Sequence, residues 1–264
     1  MPVTGCGTRT KRLPNGKDIV VLADFANTTG DTVFDGALRQ ALAIQLEQSP
    51  FLKIMDDREV RNGLRFMGRP PDGRITNAVA REICERAADK ATIGDAISSL
   101  GSSYIVTLEA NNCHTGEALA REQSEAPSKE GVLKALANAA NSLRGKLGES
   151  LASIQKVNYF FEQATTSSLE AFQSYALGEA QRSAGNWLQG IPRYRRATEL
   201  DPNFAMAYAR MAVMYAKLGL ARAALLRNDT ASARKHWQDF TALWKDADQD
   251  LPILVQAHKE FASF

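Results

Sequence analysis

Cysteine and histidine are scarce in this chain, three of each in 264 residues. Cys6, Cys84 and Cys113 form no C-x-x-C pair and have no histidine cluster beside them, which argues against a structural zinc site. No apolar run approaches the roughly 20 residues that cross a bilayer. The amino-terminal residues hold no apolar secretory segment. Val3-Thr4-Gly5-Cys6 looks like a lipoprotein cleavage box, but with no hydrophobic segment before it the match is read as coincidence. The expectation is a soluble chain with no membrane segment, cytoplasmic by default. An excess of one charge is missing too. With 32 basic and 30 acidic residues the formal net charge is +2, so the balance calls for no nucleic acid, anionic membrane or acidic substrate. Arg9, Lys11, Arg12 and Lys17 gather near the start and read as a flexible, solvated arm over residues 1–17.

Catalytic signatures are lacking as well. The chain has no glycine-rich phosphate loop of G-x-G-x-x-G type, no strand lysine of V-A-I-K type and no H-R-D loop. Asp24-Phe25-Ala26 echoes the D-F-G metal-binding triplet, yet no catalytic loop precedes it, so it is assigned to structure. His114, His236 and His258 fall in different elements. Cys113 beside His114 is a poor nucleophile and base pair, because adjacent strand side chains point to opposite faces. The loop Asn27 to Asp31 stands where doubly wound folds hold nucleotides but lacks their glycine spacing. The expectation is a protein that is not an enzyme, with no cofactor and no metal.

What is present is patterned for two domains with real cores, 44% of the residues being hydrophobic and 23% charged. Ile19-Val20-Val21-Leu22-Ala23 is a β-branched run that reads as a buried central strand. Thr32 and Asp35 have capping-box spacing ahead of a helix with Phe34, Leu38, Ala41, Leu42 and Leu46 on one face. Phe51 to Met55 reads as a strand, followed by a helix bearing Val60, Leu64 and Met67 and another over Asn77 to Ala88. Alternation then takes over at Ile93, Asp95 and Ile97, at Tyr104, Val106 and Leu108, and from Ala118 to Ser124, which predicts an antiparallel meander. A closing helix carries Val132, Leu136, Ala140, Leu143 and Leu147. Residues 18–148 thus form an α/β sandwich domain with a mixed sheet, joined by a linker over 149–166 to a helical region over 167–264. Cys84 on a helix and Cys113 at a strand end admit two readings. They form a disulfide if the domain works outside the cytoplasm, or they pack as two buried thiols.

The helical region begins with an S-x-x-E spacing, Ser167 and Glu170, expected to cap a helix starting near Ser168. Leu169, Phe172, Ala176 and Ala180 line that helix, Gly178 marks a close approach of a neighbour, and Gly185-Asn186 ends it. Trp187, Ile191, Tyr194 and Ala197 line a second helix that stops at Asp201-Pro202-Asn203. Leu177-Gly178, Gly185-Asn186, Tyr194, Ala197 and Asp201-Pro202 resemble a tetratricopeptide repeat, although Ser174, Gln181 and Gly190 depart from its usual Trp, Tyr and Ala. Tyr208, Met211, Ala212, Tyr215 and Gly219 repeat the first-helix pattern. Beyond Gly219, Leu220-Ala221 and Asn228-Asp229 restart first-helix and turn signals instead of supplying the second hairpin's own second helix. Asn228-Asp229-Thr230 caps a helix with Ala233, Trp237, Phe240 and Trp244, and Leu251-Pro252 opens a terminal helix ending at Phe261. Those two helices are expected to cap the array. The fold class is therefore α+β, an α/β sandwich followed by an all-α, tetratricopeptide-like solenoid.

Ile19 to Phe25, Thr29-Gly30-Asp31, Phe34-Asp35-Gly36 and Leu119-Ala120-Arg121-Glu122, taken with the repeats, resemble the noncatalytic carboxy-terminal region of bacterial eukaryotic-like Ser/Thr protein kinases. There an α/β module similar to TolB amino-terminal and FlgO/CsgG-type domains precedes tetratricopeptide repeats. The resemblance implies a scaffold or sensor part linked to kinase signalling, extracytoplasmic if it derives from a membrane-anchored kinase. It further implies that ligands lie against first-helix residues, here Phe172, Tyr175, Glu179, Arg182, Ala209, Val213 and Lys217, with the aromatic pair gripping a protein or peptide partner and the charges orienting it. For Phe172 and Tyr175 a place in the core against the α/β domain stays open. The other functional reading is a small-molecule or envelope-sensing α/β domain whose repeats serve oligomerisation, as in a homodimer.

Overall fold

The computed structural model describes residues 18–156, 165–243 and 252–261, and the chain divides into two units between Phe161 and Glu162. The arm expected over 1–17 and residues 157–164 of the expected linker lie outside the described residues. The fold is α+β, with the sheet confined to the first unit.

The first unit is built on strand β1 (Asp18–Leu22), whose β-branched run pairs in parallel with β3 (Leu52–Ile54) on one side and β4 (Ala91–Leu100) on the other. A two-residue strand, β2 (Ala26–Asn27), also lies parallel to β4. β5 (Ser103–Asn112) and β6 (Ala118–Ala126) continue the sheet antiparallel, giving the order β3-β1-β4-β5-β6. Helix α1 (Ala37–Glu47) connects β1 to β3, while α2 (Asp57–Phe66) and α3 (Asn77–Ala87) connect β3 to β4, so the first crossover steps one strand outward and the second returns past β1 to its other side. Helix α4 (Val132–Lys146) closes the unit against β5, β6 and α1.

Both faces of the parallel half are covered. Val21 and Ala23 pack into a core with Val60, Leu64, Val79 and Ile83 from α2 and α3. Val20 and Leu22 alternate with them and face the opposite layer, where α1 and α4 bury Leu38, Leu42, Leu136 and Leu143. Cys84 of α3 and Cys113 after β5, both fully buried in the first of these cores, are joined by a disulfide with their Cα atoms 5.9 Å apart. The thiol reading is therefore set aside.

Two local expectations need correction. Asp31, rather than Thr32, is the cap: its side chain accepts from the Val33 amide at 3.0 Å, the turn Thr32–Phe34 is 3-10, and α1 starts only after Gly36. The capping box that does form is Asp56 with Glu59 at the start of α2. Glu149, placed at the start of the linker, belongs to the sandwich core, where its carboxylate meets the Arg144 guanidinium at 2.6 and 2.9 Å with both side chains buried.

The second unit is helical. Helix α5 (Leu169–Ser183) and α6 (Trp187–Leu200) form a hairpin around Gly185, whose φ of +86° is the left-handed conformation a glycine accepts at a helix end. Ser168, not Ser167, is the cap of α5, accepting from the Ala171 amide at 3.2 Å. Gly178 is where the pair closes most tightly, since a Cβ there would stand 2.6 Å from Tyr194 Cε1. Helix α7 (Ala205–Leu226) runs unbroken through Gly219, and α8 (Thr230–Leu243), capped by Asp229 on the Ser232 amide, packs back along it. The second hairpin thus has its own second helix. Its first helix is longer than the first hairpin's, because a lone exposed glycine inside Leu218-Gly219-Leu220 does not outweigh the helix formers around it. Helix α9 (Pro252–Phe261) adds Phe261, stacked on Trp237 of α8 at 4.7 Å, and Glu260, paired with Arg222 of α7 at 2.6 Å. Trp244 lies outside the described residues. No helix among the described residues is long and apolar enough to cross a membrane.

Candidate partner-binding site in the helical unit

Four aromatic rings decide where the expected site residues go. Phe172 and Tyr175 on α5, Tyr194 on α6 and Phe204 before α7 pack at centroid separations of 5.0 to 6.1 Å, and all four are buried. Phe172 and Tyr175 therefore hold the first hairpin to α7 and offer no ring to a ligand, which corrects their gripping role. Their i, i+3 spacing is equally that of a core stripe, and the covering ring, Phe204, lies about thirty residues away in sequence.

Glu179 is buried as well, and its carboxylate organises a polar cluster. Oε1 accepts from Tyr194 Oη at 2.7 Å and from Arg210 Nε at 2.8 Å, while Oε2 accepts from Arg182 Nη2 at 2.9 Å and Arg210 Nη2 at 3.2 Å. Burial alone would push this carboxyl up. The hydrogen bonds from Arg182 and Tyr194 and the Arg210 charge outweigh it, so Glu179 sits below the usual carboxylate range. Beside it, burial and then the Glu179 charge push the Tyr175 phenol up to about 12. Two guanidiniums share this one carboxylate, and the Arg182 and Arg210 side chains are 31% and 38% exposed. Arg210 escapes sequence reasoning because nothing local links it to Glu179, two helices and thirty-one residues earlier.

Helix α7 supplies the rest of the site. Its exposed residues Tyr208, Ala209, Ala212, Val213, Ala216 and Leu220 recur at i, i+3 and i+4 spacing, so they form one stripe along the helix, and not one is charged. Tyr208, Val213 and Leu220 are 47%, 59% and 48% exposed. Ala209 and Val213, expected as site residues, lie on this stripe. The side chain of Lys217 is outside the described residues. Tyr208, Ala212, Ala216 and Leu220 were legible in the sequence as a helix apolar on nearly every side, a pattern that more often marks complete burial.

In the α/β unit the polar groups are arranged differently. Asp95 points from β4 toward the α1 side, alternating with Gly94, whose own side is filled by Asn77 of α3. Among the described residues neither carboxyl oxygen of Asp95 has a hydrogen-bond partner, and burial, only partly offset by Arg39, holds its pKa well above the usual carboxylate range. Arg39 of α1 meets Asp57 at 3.2 Å and Asp24 at 3.5 Å. The polar groups of the Asn27 to Asp31 loop are engaged with one another and with Lys129, which binds Asp31 at 2.6 Å. No cluster of three or more His, Cys, Asp or Glu residues suited to a metal ion occurs among the described residues.

No family model matches the chain, and no curated protein does. Solved structures give distant similarities. The LpoB C-terminal domain from Salmonella enterica is 12% identical with a TM-score of 0.38, covering 41% of this chain and 81% of that one. A PelC dodecamer from Paraburkholderia phytofirmans is 16% identical with a TM-score of 0.35, covering 52% and 91%. Lipoprotein GNA1162 from Neisseria meningitidis is 13% identical with a TM-score of 0.35, covering 51% and 99%. Similarities this distant carry no argument about function.

Proposed function

We propose that the helical unit is a noncatalytic docking module, and that it captures an acidic amphipathic helix of a partner protein along α7. The carrying observation is the exposed apolar stripe of Tyr208, Ala209, Ala212, Val213, Ala216 and Leu220, since soluble proteins rarely leave a contiguous apolar face to water without a use for it. The adjoining Arg182 and Arg210, both partly exposed, supply a basic polar rim and favour a carboxylate-bearing partner. The likeness of Ser167 to Phe204 to a tetratricopeptide hairpin supports the same reading. The kinase link implied by the wider resemblance gains no support from the comparisons. The Cys84–Cys113 disulfide supports work in an oxidising compartment rather than the cytosol.

The test is fluorescence anisotropy of the full chain with two labelled helical peptides that share one apolar face, one with an acidic and one with a basic polar face. The acidic peptide should bind at least about tenfold more tightly, an advantage shrinking as salt rises. Val213→Asp should abolish that binding while leaving the circular dichroism unchanged. Equal binding of both peptides, or binding untouched by Val213→Asp, would refute the site.

A further inference from the structure

Strand β6 ends the sheet. It pairs with β5 on one side and, among the described residues, with no strand on the other. In an antiparallel ladder alternate residues turn their main-chain groups toward and away from the neighbour. Lys146 Nζ donates to the Arg121 carbonyl at 2.9 Å, which marks Arg121 as an outward residue. By alternation Gln123 and Glu125 are outward too, while Glu122 and Ser124 pair inward with Leu108 and Val106. The side chains of the same three residues are exposed on the sheet face opposite α4, because Glu122, alternating with them, reaches back to Lys146 of α4 at 2.5 Å. A free edge of this kind is a template for another strand.

The order of charges says which strand. When a second copy of β6 is laid antiparallel about a two-fold axis through Gln123, Arg121 of each copy falls opposite Glu125 of the other. Moving the axis to Glu122 sets Arg121 against Gln123 and Leu119 against Glu125, and moving it to Ser124 sets Arg121 against Pro127. Of these registers the one centred on Gln123 matches both charges, and Pro127, with no N–H, ends the ladder just beyond it. Arg121 already contacts Glu109 through Nε at 2.7 Å, and its fork has donors left for a second carboxylate.

We propose that two copies of the chain join their sheets edge to edge through β6, antiparallel about Gln123, with Arg121 of each copy paired to Glu125 of the other. The contact contains about six main-chain hydrogen bonds, two for each of three facing residue pairs. Lys146 keeps one lone pair of the Arg121 carbonyl and the partner strand takes the other.

Two experiments on the full chain decide it. With Cys6 replaced by Ser, Gln123→Cys should cross-link to a covalent dimer with a short bis-maleimide, because facing Cβ atoms stand about 5 Å apart across such a pair. Thr107→Cys, one strand further in on the same face, should give at least about tenfold less dimer, its distance being longer by about two strand spacings of 4.8 Å. In sedimentation velocity, Arg121→Glu and Glu125→Arg should each be monomeric at concentrations where the wild type dimerises. An equal mixture of the two should recover the dimer, since two glutamates of one copy then face two arginines of the other, a recovery that misfolded variants would not show. A wild type that stays monomeric without cross-linking at Gln123→Cys overturns the proposal. So do single charge variants that still dimerise, or a mixture that does not.

Discussion

Removing the Cys84–Cys113 bond should lower the stability of the α/β unit by about 3.6 kcal/mol at 25 °C. The bond closes a loop with a sequence separation of 29 residues. For a loop of that length the chain-entropy relation gives a loss of about 12 cal/mol/K in the unfolded ensemble, hence the figure quoted. For a unit of this size the midpoint of thermal unfolding should fall by roughly 7 to 14 °C. Two comparisons separate the cross-link from packing. Reduced wild type, prepared in denaturant and refolded with reductant, keeps both sulfur atoms in the core, so its deficit reports the cross-link alone. The Cys84→Ala, Cys113→Ala double variant also loses two fully buried sulfur atoms and should fall further. The assay is urea unfolding followed by far-ultraviolet circular dichroism. A reduced wild type within about 1 kcal/mol of the oxidised protein would refute the entropy argument. Three titratable thiols in the unreduced, denatured protein would refute the bond itself.

Four other outcomes follow from the geometry. Gly178→Ala should destabilise the helical unit by about 1 to 3 kcal/mol, because its methyl would sit 2.6 Å from Tyr194 Cε1 between two packed helices; a thermal melt that does not shift would contradict the packing. Glu149→Gln should cost about 3 to 5 kcal/mol by stranding the Arg144 charge in the core, read by urea unfolding; a change under about 1 kcal/mol would mean that water reaches the pair. Asp95 has a folded pKa above its unfolded value, so the folded state binds the extra proton. Its contribution is full below the unfolded pKa of about 3.9 and is lost as pH rises toward the folded pKa, at up to about 1.4 kcal/mol per pH unit. Asp95→Asn should flatten that decline, and an unchanged slope of stability against pH would place the titration elsewhere. Arg182→Glu should weaken the acidic peptide and leave the basic one unharmed, measured by the same anisotropy titration.

The parts of the fold that periodicity could announce were legible in the sequence. The run from Ile19 to Ala23, the alternation around Ile93 and Val106, and the helix ended by Gly185-Asn186 declare themselves because each depends on neighbours within one turn or one pleat. The turn chemistry at Asp31 and Ser168 slipped by one residue, since Thr32 beside Asp31 and Ser167 beside Ser168 offer rival cap oxygens one position away. What long-range packing settles was not legible. Phe172 and Tyr175 have the same spacing whether they face a groove or a core, and only Phe204 closing over them decides it. Arg144 and Glu149 straddle the end of α4, where the sequence looks like the start of a linker. The α7 stripe resembled a fragment of a degenerate repeat because Gly219 was read as a stop, whereas the surrounding alanines and leucines carry the helix past it.

Strand β4 pairs with β1, β2 and β5, and this has a consequence for synthesis on the ribosome. When Ile19 to Leu22 leaves the exit tunnel, about seventy more codons must be read before its partner at Ala91 to Ile93 emerges in turn, and its other partner, β3, is three residues long. The nascent chain must therefore carry its most apolar strand unmatched for several seconds at ordinary elongation rates. A holdase bound to that interval, or a slowing of translation that prolongs it, would shift the yield of native protein without altering a single contact in the finished molecule.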